Sequence, residues 1–309
     1  MAKVLVTGGA GFIGSNLVRA LRERGDDVRV LDNFSTGFRA NLDGLDDVEI
    51  VEGELRSYER VHNAVRGVEL VYHLGALGSV PRSVQDPLTS NAVNVEGTLN
   101  VLLAARDEGI RRVVFASSTS VYGTEPPLPT REDERLDPIS PYGVAKLAAE
   151  RYCAAFSRVY EAFETVVLRY FNVYGPRQSP FSQYAAVIPL FIAAIAAGQP
   201  VTIYGDGEQS RDFTYVEDAV AATLAAGEAD GASGHAFNVA GGRPARVNDV
   251  ADTISRLLDK PVERKLAPRR PGDIRDSYAD ITAAREVLGY VPQIQLEEGL
   301  RRTIDFLNA

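Results

Sequence analysis

Lys3-Val4-Leu5-Val6-Thr7-Gly8-Gly9-Ala10-Gly11-Phe12-Ile13-Gly14 decides the fold of this chain. A short apolar run rich in β-branched residues breaks directly into glycines, and helical spacing of apolar residues follows from Ile13 to Arg24. A strand that must turn at once into a helix needs residues without side chains at the turn. Gly8, Gly11 and Gly14 stand where a Cβ would block the turn, an approaching phosphate, or the packing of helix on strand. The unpaired N–H groups at such a helix start attract an anion.

The same rhythm continues outward. Short strands are expected at Asp27 to Leu31, Val48 to Glu52, Val68 to His73, Arg112 to Ser117 and Thr165 to Tyr170. Between them Asn94 to Asp107 and Pro141 to Val159 carry apolar residues at helical spacing. Alternation of this kind predicts an α/β fold, a Rossmann-type doubly wound parallel sheet with helices on both faces. After Tyr170 the pattern loosens, with helices expected at Ala186 to Ala197, Val247 to Leu258 and Leu296 to Leu307. The expected organisation is a dinucleotide-binding domain over 1–170 and a smaller C-terminal α/β substrate lobe over 171–309, the chain crossing back to the sheet around 205–240. Thr124 to Pro141, rich in Pro and charge, and Ala225 to Gly234, rich in Ala and Gly, read as surface loops.

Composition sets limits on partners. The 309 residues are 45% hydrophobic and 24% charged, an ordinary globular balance. A net charge of -9 and a pI near 5.0 argue against nucleic-acid or anionic-membrane surfaces, which need a basic stripe. An anionic ligand must then be met by a few local arginines. With Cys153 alone and three histidines, neither a disulfide nor a Cys/His metal cluster is expected. The chain opens on a strand instead of an apolar leader and holds no apolar run of membrane-spanning length, so a cytoplasmic protein is expected.

Asp32 lies at the end of the second expected strand, 18 residues past Gly14. A carboxylate there can accept both hydroxyls of a ribose and repels a 2′-phosphate, which favours NAD over NADP; the competing reading is a plain turn residue in Asp-Asn. Tyr142 and Lys146, four apart, share one face of a helix entered through Ser140-Pro141. An ammonium beside a phenol is expected to pull its pKa down towards working pH and make Tyr142 a general base. Ser118, in Ser117-Ser118-Thr119-Ser120-Val121-Tyr122-Gly123 at the carboxyl edge of the sheet, is the third candidate, placed to hydrogen-bond the same substrate oxygen. A Ser/Thr run after a strand can equally be a turn or helix cap.

Taken together, the glycine spacing, the Tyr-x-x-x-Lys pair and the Ser-Ser-x-x-Val-Tyr-Gly stretch resemble the extended short-chain dehydrogenase/reductases, the nucleotide-sugar epimerase and dehydratase group, over essentially the full length. Further stretches carry the likeness: Leu168 to Arg177, Gly205 to Phe213, and Arg270-Pro271-Gly272-Asp273. The resemblance implies an NAD site drawing on Gly8, Gly11, Phe12, Ile13, Gly14, Asp32, Asn33, Leu55, Leu74, Tyr142 and Lys146. Where the family often has Asp-Leu or Asp-Ile near the adenine this chain has Glu54-Leu55, so Glu54 is assigned that position. It also implies that the position of Asn172 contacts a diphosphate, those of Arg211 and Arg270 hold phosphate, and that of Asp273 holds the uridine ribose.

Family chemistry is decided by residues flanking the triad. The 4,6-dehydratases carry Asp-Glu after the catalytic hydroxyl residue; here Thr119-Ser120 stand in those positions, which disfavours elimination and leaves reversible 4-epimerisation through a 4-keto sugar. Leu77 to Ser83, with Ser79 and Arg82, and Tyr184 to Pro189, with Val187, resemble epimerases of UDP-N-acetylhexosamines. Ser277 falls where epimerases restricted to UDP-glucose and UDP-galactose carry a tyrosine. UDP-glucuronate 4-epimerases usually have Thr at the Asn172 position and Arg at the Ser179 position, and this chain has neither. The resemblance therefore implies a UDP-N-acetylglucosamine 4-epimerase that also accepts UDP-glucose. The alternatives are a UDP-glucose 4-epimerase proper, a 4-epimerase of another nucleotide sugar such as UDP-glucuronate, and a non-enzymatic dinucleotide-sensing regulator. A homodimer packed through Asn94 to Asp107 and Pro141 to Val159 is implied in the same way.

Overall fold

The computed structural model describes residues 2–179, 186–269 and 274–308. Seven strands form one parallel sheet: β1 (Lys3–Thr7), β2 (Asp27–Asp32), β3 (Glu49–Glu52), β4 (Leu70–His73), β5 (Arg112–Ser118), β6 (Glu164–Tyr170) and β7 (Ala236–Val239). Their spatial order is β7-β6-β5-β4-β1-β2-β3. The chain winds outward from β1 in one direction, then returns to β4 and winds in the other, so a crevice opens between β1 and β4 at the carboxyl edge, where such sheets hold ligands.

Ten helices matter to the layers: α1 (Phe12–Glu23), α2 (Tyr58–Val65), α3 (Val80–Gln85), α4 (Gly97–Asp107), α5 (Pro141–Val159), α6 (Val187–Ala196), α7 (Val216–Glu228), α8 (Val247–Leu258), α9 (Thr282–Leu288) and α10 (Leu296–Asn308). α1 and α7 cover one sheet face, and the core there runs continuously from Val4 and Val6 to Leu300 and Ile304. α2, α4 and α5 cover the other over a separate core around Leu5, Val71, Val113 and Phe115. β1 shows why both faces are needed: Val4, Leu5 and Val6 are fully buried, as in a central parallel strand. The sheet is not confined to the first half of the chain, since β7 pairs with β6 from Ala236↔Val167 to Val239↔Tyr170.

Two expectations are corrected in part, since 229–234 and most of 124–140 are surface loop as read. Residues 225–228 are the last turn of α7 and not a surface loop. Their Ala/Gly bias reflects close packing: a Cβ on Gly227 would stand 2.3 Å from Tyr72 Oη. Residues 124–141 are likewise more than surface. Thr130, 2% exposed, pairs with Ala279, its N–H donating to Tyr278 O at 2.8 Å and its carbonyl accepting from Asp280 N at 2.9 Å. Among the described residues no helix is long and apolar enough to cross a membrane, and no group of His, Cys, Asp and Glu is arranged to hold a metal ion.

Candidate active site

The turn from β1 into α1 divides the glycines by job. Gly8 adopts φ +69°, and a Cβ there would meet the Gly75 backbone at 2.7 Å. At Gly14 it would stand 2.1 Å from Gly8 O, so that glycine is demanded by the turn's own packing. Gly11 differs, its nearest neighbour being Gly8 O at 3.1 Å. Gly11 is thus the less crowded of the two, and it lines the space outside the turn. Gly11 is the N-cap of α1, takes no side-chain hydrogen bond and is followed by no acidic residue in the first turn. The helix start therefore faces a cavity of about 600 Å³ as a positive pole.

Asp32 lies on that cavity, its Oδ2 accepting from Ala10 N at 2.9 Å and its Oδ1 from Phe34 N at 2.8 Å. Both readings of the residue hold in the geometry, because each oxygen keeps a further lone pair. Asn33, Leu55 and Leu74 line the same cavity, as do Phe12 and Ile13. Glu54 does too, but its carboxylate is paired with Arg56. Thr7 and His73, at the ends of β1 and β4, are buried side by side, Thr7 Oγ1 lying 2.6 Å from His73 Nδ1 and Thr98 Oγ1 3.0 Å from His73 Nε2. Burial pushes His73 down to about 3, so it stays neutral there. A phosphate-sized opening against free helix N–H groups, a diol-sized carboxylate and apolar walls fit a dinucleotide.

Ser118, Tyr142 and Lys146 meet at the carboxyl end of β5. Ser140 caps α5 by accepting from Gly143 N at 3.1 Å, and Pro141 occupies the first turn. Gly143 lets the helix start touch the turn after Ser118: a Cβ would stand 2.5 Å from Ser120 O. Tyr142 N donates to the buried Ser83 hydroxyl at 3.0 Å. The Tyr142 phenol hydrogen-bonds Ser118. Lys146, 3% exposed, donates to Ala116 O at 2.7 Å and lies 6.0 Å from the Tyr142 ring centre.

The expected lowering of the phenol is not what the protein alone produces. Burial pushes Tyr142 up, and the opposing pull comes from Ser118. Burial brings Lys146 down to about 8, against the attraction of Glu150. The physical reason is the depth of the site, which penalises phenolate and ammonium alike.

Ser79 and Arg82 line the cofactor cavity. Asn172, Val187 and Arg211 line a second cavity of about 260 Å³ with Phe213 and Gln209. Ala186 borders both, so the two are neighbours. Asn172 holds φ +36° and donates from Nδ2 to Asp212 O at 3.2 Å; Arg211 donates to Ser210 O at 2.8 Å and Arg275 O at 3.0 Å. Thr119, in the turn after Ser118, and Ser277 border neither cavity. Ser277 is nevertheless 8% exposed, with its N–H on Ser210 O at 3.2 Å, next to Arg211. Tyr184, Arg270 and Asp273 lie outside the described residues.

Sequence reasoning missed Ser35, Thr36 and Gly37, which also line the cofactor cavity. The Asn-Phe-Ser-Thr-Gly turn directly after Asp32 was a usable signal. It also missed Arg56 and Gln178, for which no local pattern exists.

Residues 4–240 match the NAD dependent epimerase/dehydratase family. The chain belongs to that family, and NAD is its cofactor. A UDP-glucose 4-epimerase of Mycolicibacterium smegmatis is 40% identical, over 98% of each chain. The solved UDP-N-acetylglucosamine 4-epimerase of Methanobrevibacter ruminantium, in complex with UDP-N-acetylmuramic acid, superposes with a TM-score of 0.95 at 39% identity, covering 99% of this chain and 98% of that one. The UDP-glucuronic acid 4-epimerase of Bacillus cereus, solved with UDP-glucuronic acid and NAD, gives 0.92 at 31% identity over 99% of both chains.

Proposed function

We propose that this family member is an NAD-dependent UDP-sugar 4-epimerase whose substrate is UDP-N-acetylglucosamine, with UDP-glucose also turned over. The carrying observation is the pair Tyr142 and Lys146 on the cofactor cavity with Ser118 on the Tyr142 phenol, followed by Thr119-Ser120 without a carboxylate. In this reading bound NAD supplies a reversible hydride acceptor at the sugar C4. Tyr142 accepts the C4 hydroxyl proton and later returns it. Ser118 hydrogen-bonds that same oxygen and opposes the upward shift of the phenol. Lys146 adds positive charge beneath the ring. Gly11 to Gly14 and Asp32 seat the cofactor, while Asn172, Arg211, Arg270 and Asp273 seat the nucleoside diphosphate, an anion that an acidic protein must meet with local cations.

Support for the N-acetyl sugar comes from small residues, Ser79 and Ser277, and from the relative that carries that name. Asn172 and Ser179 speak against a glucuronate. A second reading, UDP-glucose 4-epimerase proper, is supported by the 40% identical relative. A second copy packed on α4 and α5 belongs to the same proposal, supported by the exposed Val144, Tyr152 and Val159 on α5.

The test is incubation with UDP-N-acetylglucosamine, UDP-glucose and UDP-glucuronate separately, products resolved by proton NMR. Formation of the galacto sugar from the first two is expected; turnover of UDP-glucose alone would move the assignment to the second reading. Ser277→Tyr should cut kcat/KM for the N-acetyl sugar at least about tenfold more than for UDP-glucose. Equal losses would remove the role given to Ser277.

A further inference from the structure

One helical turn beyond Lys146, α5 carries a group that the reaction does not touch. Glu150 is 5% exposed and so is its partner Arg169 of β6. Arg169 Nη2 reaches Glu150 Oε2 at 2.8 Å and its Nε reaches Oε1 at 3.0 Å, while the Ser117 hydroxyl donates to the same Oε1. Arg169 Nη1 is occupied elsewhere, by the Tyr122 hydroxyl at 2.9 Å and Glu132 O at 3.0 Å. A buried ion pair of this kind seldom stabilises a fold more than an apolar pair of the same volume. Its presence under the active-site helix therefore calls for another role.

Lys146 supplies one. Its ammonium lies against the Phe115 ring at 4.8 Å and donates to Ala116 O, in a place where an isolated cation is costly. The titratable groups that face it are few. From its own helix come Tyr142, Glu150 and Cys153, and from β4 comes His73. Burial holds the Cys153 thiol up and His73 down, so both are neutral. Arg169 hydrogen-bonds Glu150 and the Tyr122 hydroxyl, and Tyr122 is held up at about 12 by burial. Among the described residues Glu150, four positions on along the same helix, is thus the carboxylate that acts on Lys146, and Arg169 with Ser117 fixes where its charge sits.

We propose that Glu150, held in place by Arg169, is a positioning residue that keeps Lys146 in its ammonium form and so sets the alkaline limit of the reaction. This rests on the epimerase reading only for the word reaction; the charge on Lys146 is a property of the chain. Without Glu150, burial and the orphaned Arg169 cation would both favour the neutral amine, and Lys146 would lose its proton at a lower pH.

The chain's lysines are Lys3, Lys146, Lys260 and Lys265, few enough to resolve individually. The holoenzyme is labelled with [13C-ε]lysine and its Cε resonances are titrated by NMR, Lys146 being the signal absent from Lys146→Met. In Glu150→Gln the Lys146 midpoint is expected to fall by at least about one pH unit, whereas Glu150→Asp, which keeps the charge, should stay within about half a unit of the parent. If Glu150→Gln does not fold, Glu150→Gln/Arg169→Leu removes the orphaned cation together with its partner and should still show a fall, smaller because only the lost attraction of Glu150 remains. An unchanged midpoint in either folded variant, with only a lower melting temperature, overturns the proposal and leaves the pair a structural one. The alkaline limb of the UDP-sugar kcat profile should move with the midpoint; a midpoint that falls while the parent turns over no UDP sugar would sink the epimerase reading and spare this one.

Discussion

Burial works against the ionised forms of Tyr142 and Lys146 that Tyr-x-x-x-Lys spacing suggests, although Lys146 remains mostly an ammonium at pH 7. Tyr142 is pushed up and Lys146 is brought down to about 8. Removal of the phenolic oxygen by Tyr142→Phe leaves the ring packing intact and takes away the proposed base, so turnover should fall roughly 10²–10⁴-fold with little change in melting temperature. Loss within a fewfold would place the base elsewhere. For Lys146 the sign of the stability effect follows from the direction of its shift. A lysine with a lowered folded-state pKa costs stability while charged, and that cost disappears as pH rises from about 8 towards the unfolded value near 10.5. Lys146→Met should accordingly melt higher than the parent at pH 7, with the gain shrinking by pH 10, while losing activity. Calorimetry at the two pH values measures this, and a lower melting temperature at pH 7 would contradict it. Spacing showed these two residues on one helix face; it could not show that the site is deep enough to favour their neutral forms.

At the scale of elements, the β1–α1 turn was legible because sterics act over a few residues. Gly14 and Gly11 look alike in sequence, yet a Cβ at Gly14 would meet Gly8 O at 2.1 Å and one at Gly11 at 3.1 Å. Gly14→Ala is expected to destabilise the fold itself, by about 2 kcal/mol or more. Gly11→Ala should fold normally but bind NAD at least about tenfold more weakly, since its methyl would point at the space the pyrophosphate takes. Urea unfolding and NAD titration together separate the two; equal behaviour of the variants would defeat the division of roles. α5 and α8 were read from periodicity with their observed bounds, Pro141–Val159 and Val247–Leu258. α7 was not, because its buried face draws on Ala219, Ala222 and Ala226 and on Gly227, where a Cβ would meet Tyr72 of the strand beneath, far away in sequence. Long-range demands of this kind leave only a compositional trace, and Ala with Gly reads as loop when the strand is out of view.

Across the whole molecule, the halves of the chain are tied by buried polar residues whose partners no local pattern announces. Asp212 is the clearest case. It ends the strand Ser210–Asp212, which carries Arg211, and it is fully buried. Its Oδ2 accepts from Ala279 N at 3.2 Å, and the N–H groups of Gly241, Gly242 and Arg243 beyond β7 approach it as well. Three segments that are distant in sequence thus converge on one carboxylate beside the second cavity. Sequence marked Arg211 and passed over its neighbour, because the neighbour's value lies in contacts 29 and more residues away. Burial pushes Asp212 up to about 6, the backbone N–H groups recovering only part of the loss. The unfolded chain ionises this carboxyl near 3.8 and the folded chain near 6, so between those values the folded state binds more protons and its stability falls as pH rises; above about 6 the contribution is constant. Asp212→Asn cannot ionise and lacks this slope. Urea unfolding of both proteins at pH 4.5 and pH 7 should therefore show the parent losing on the order of 2 kcal/mol relative to the variant between the two conditions. A difference between the proteins that does not change with pH would mean that the carboxylate is already charged at pH 4.5, and that the three segments are held together by an ion and not by a buried acid.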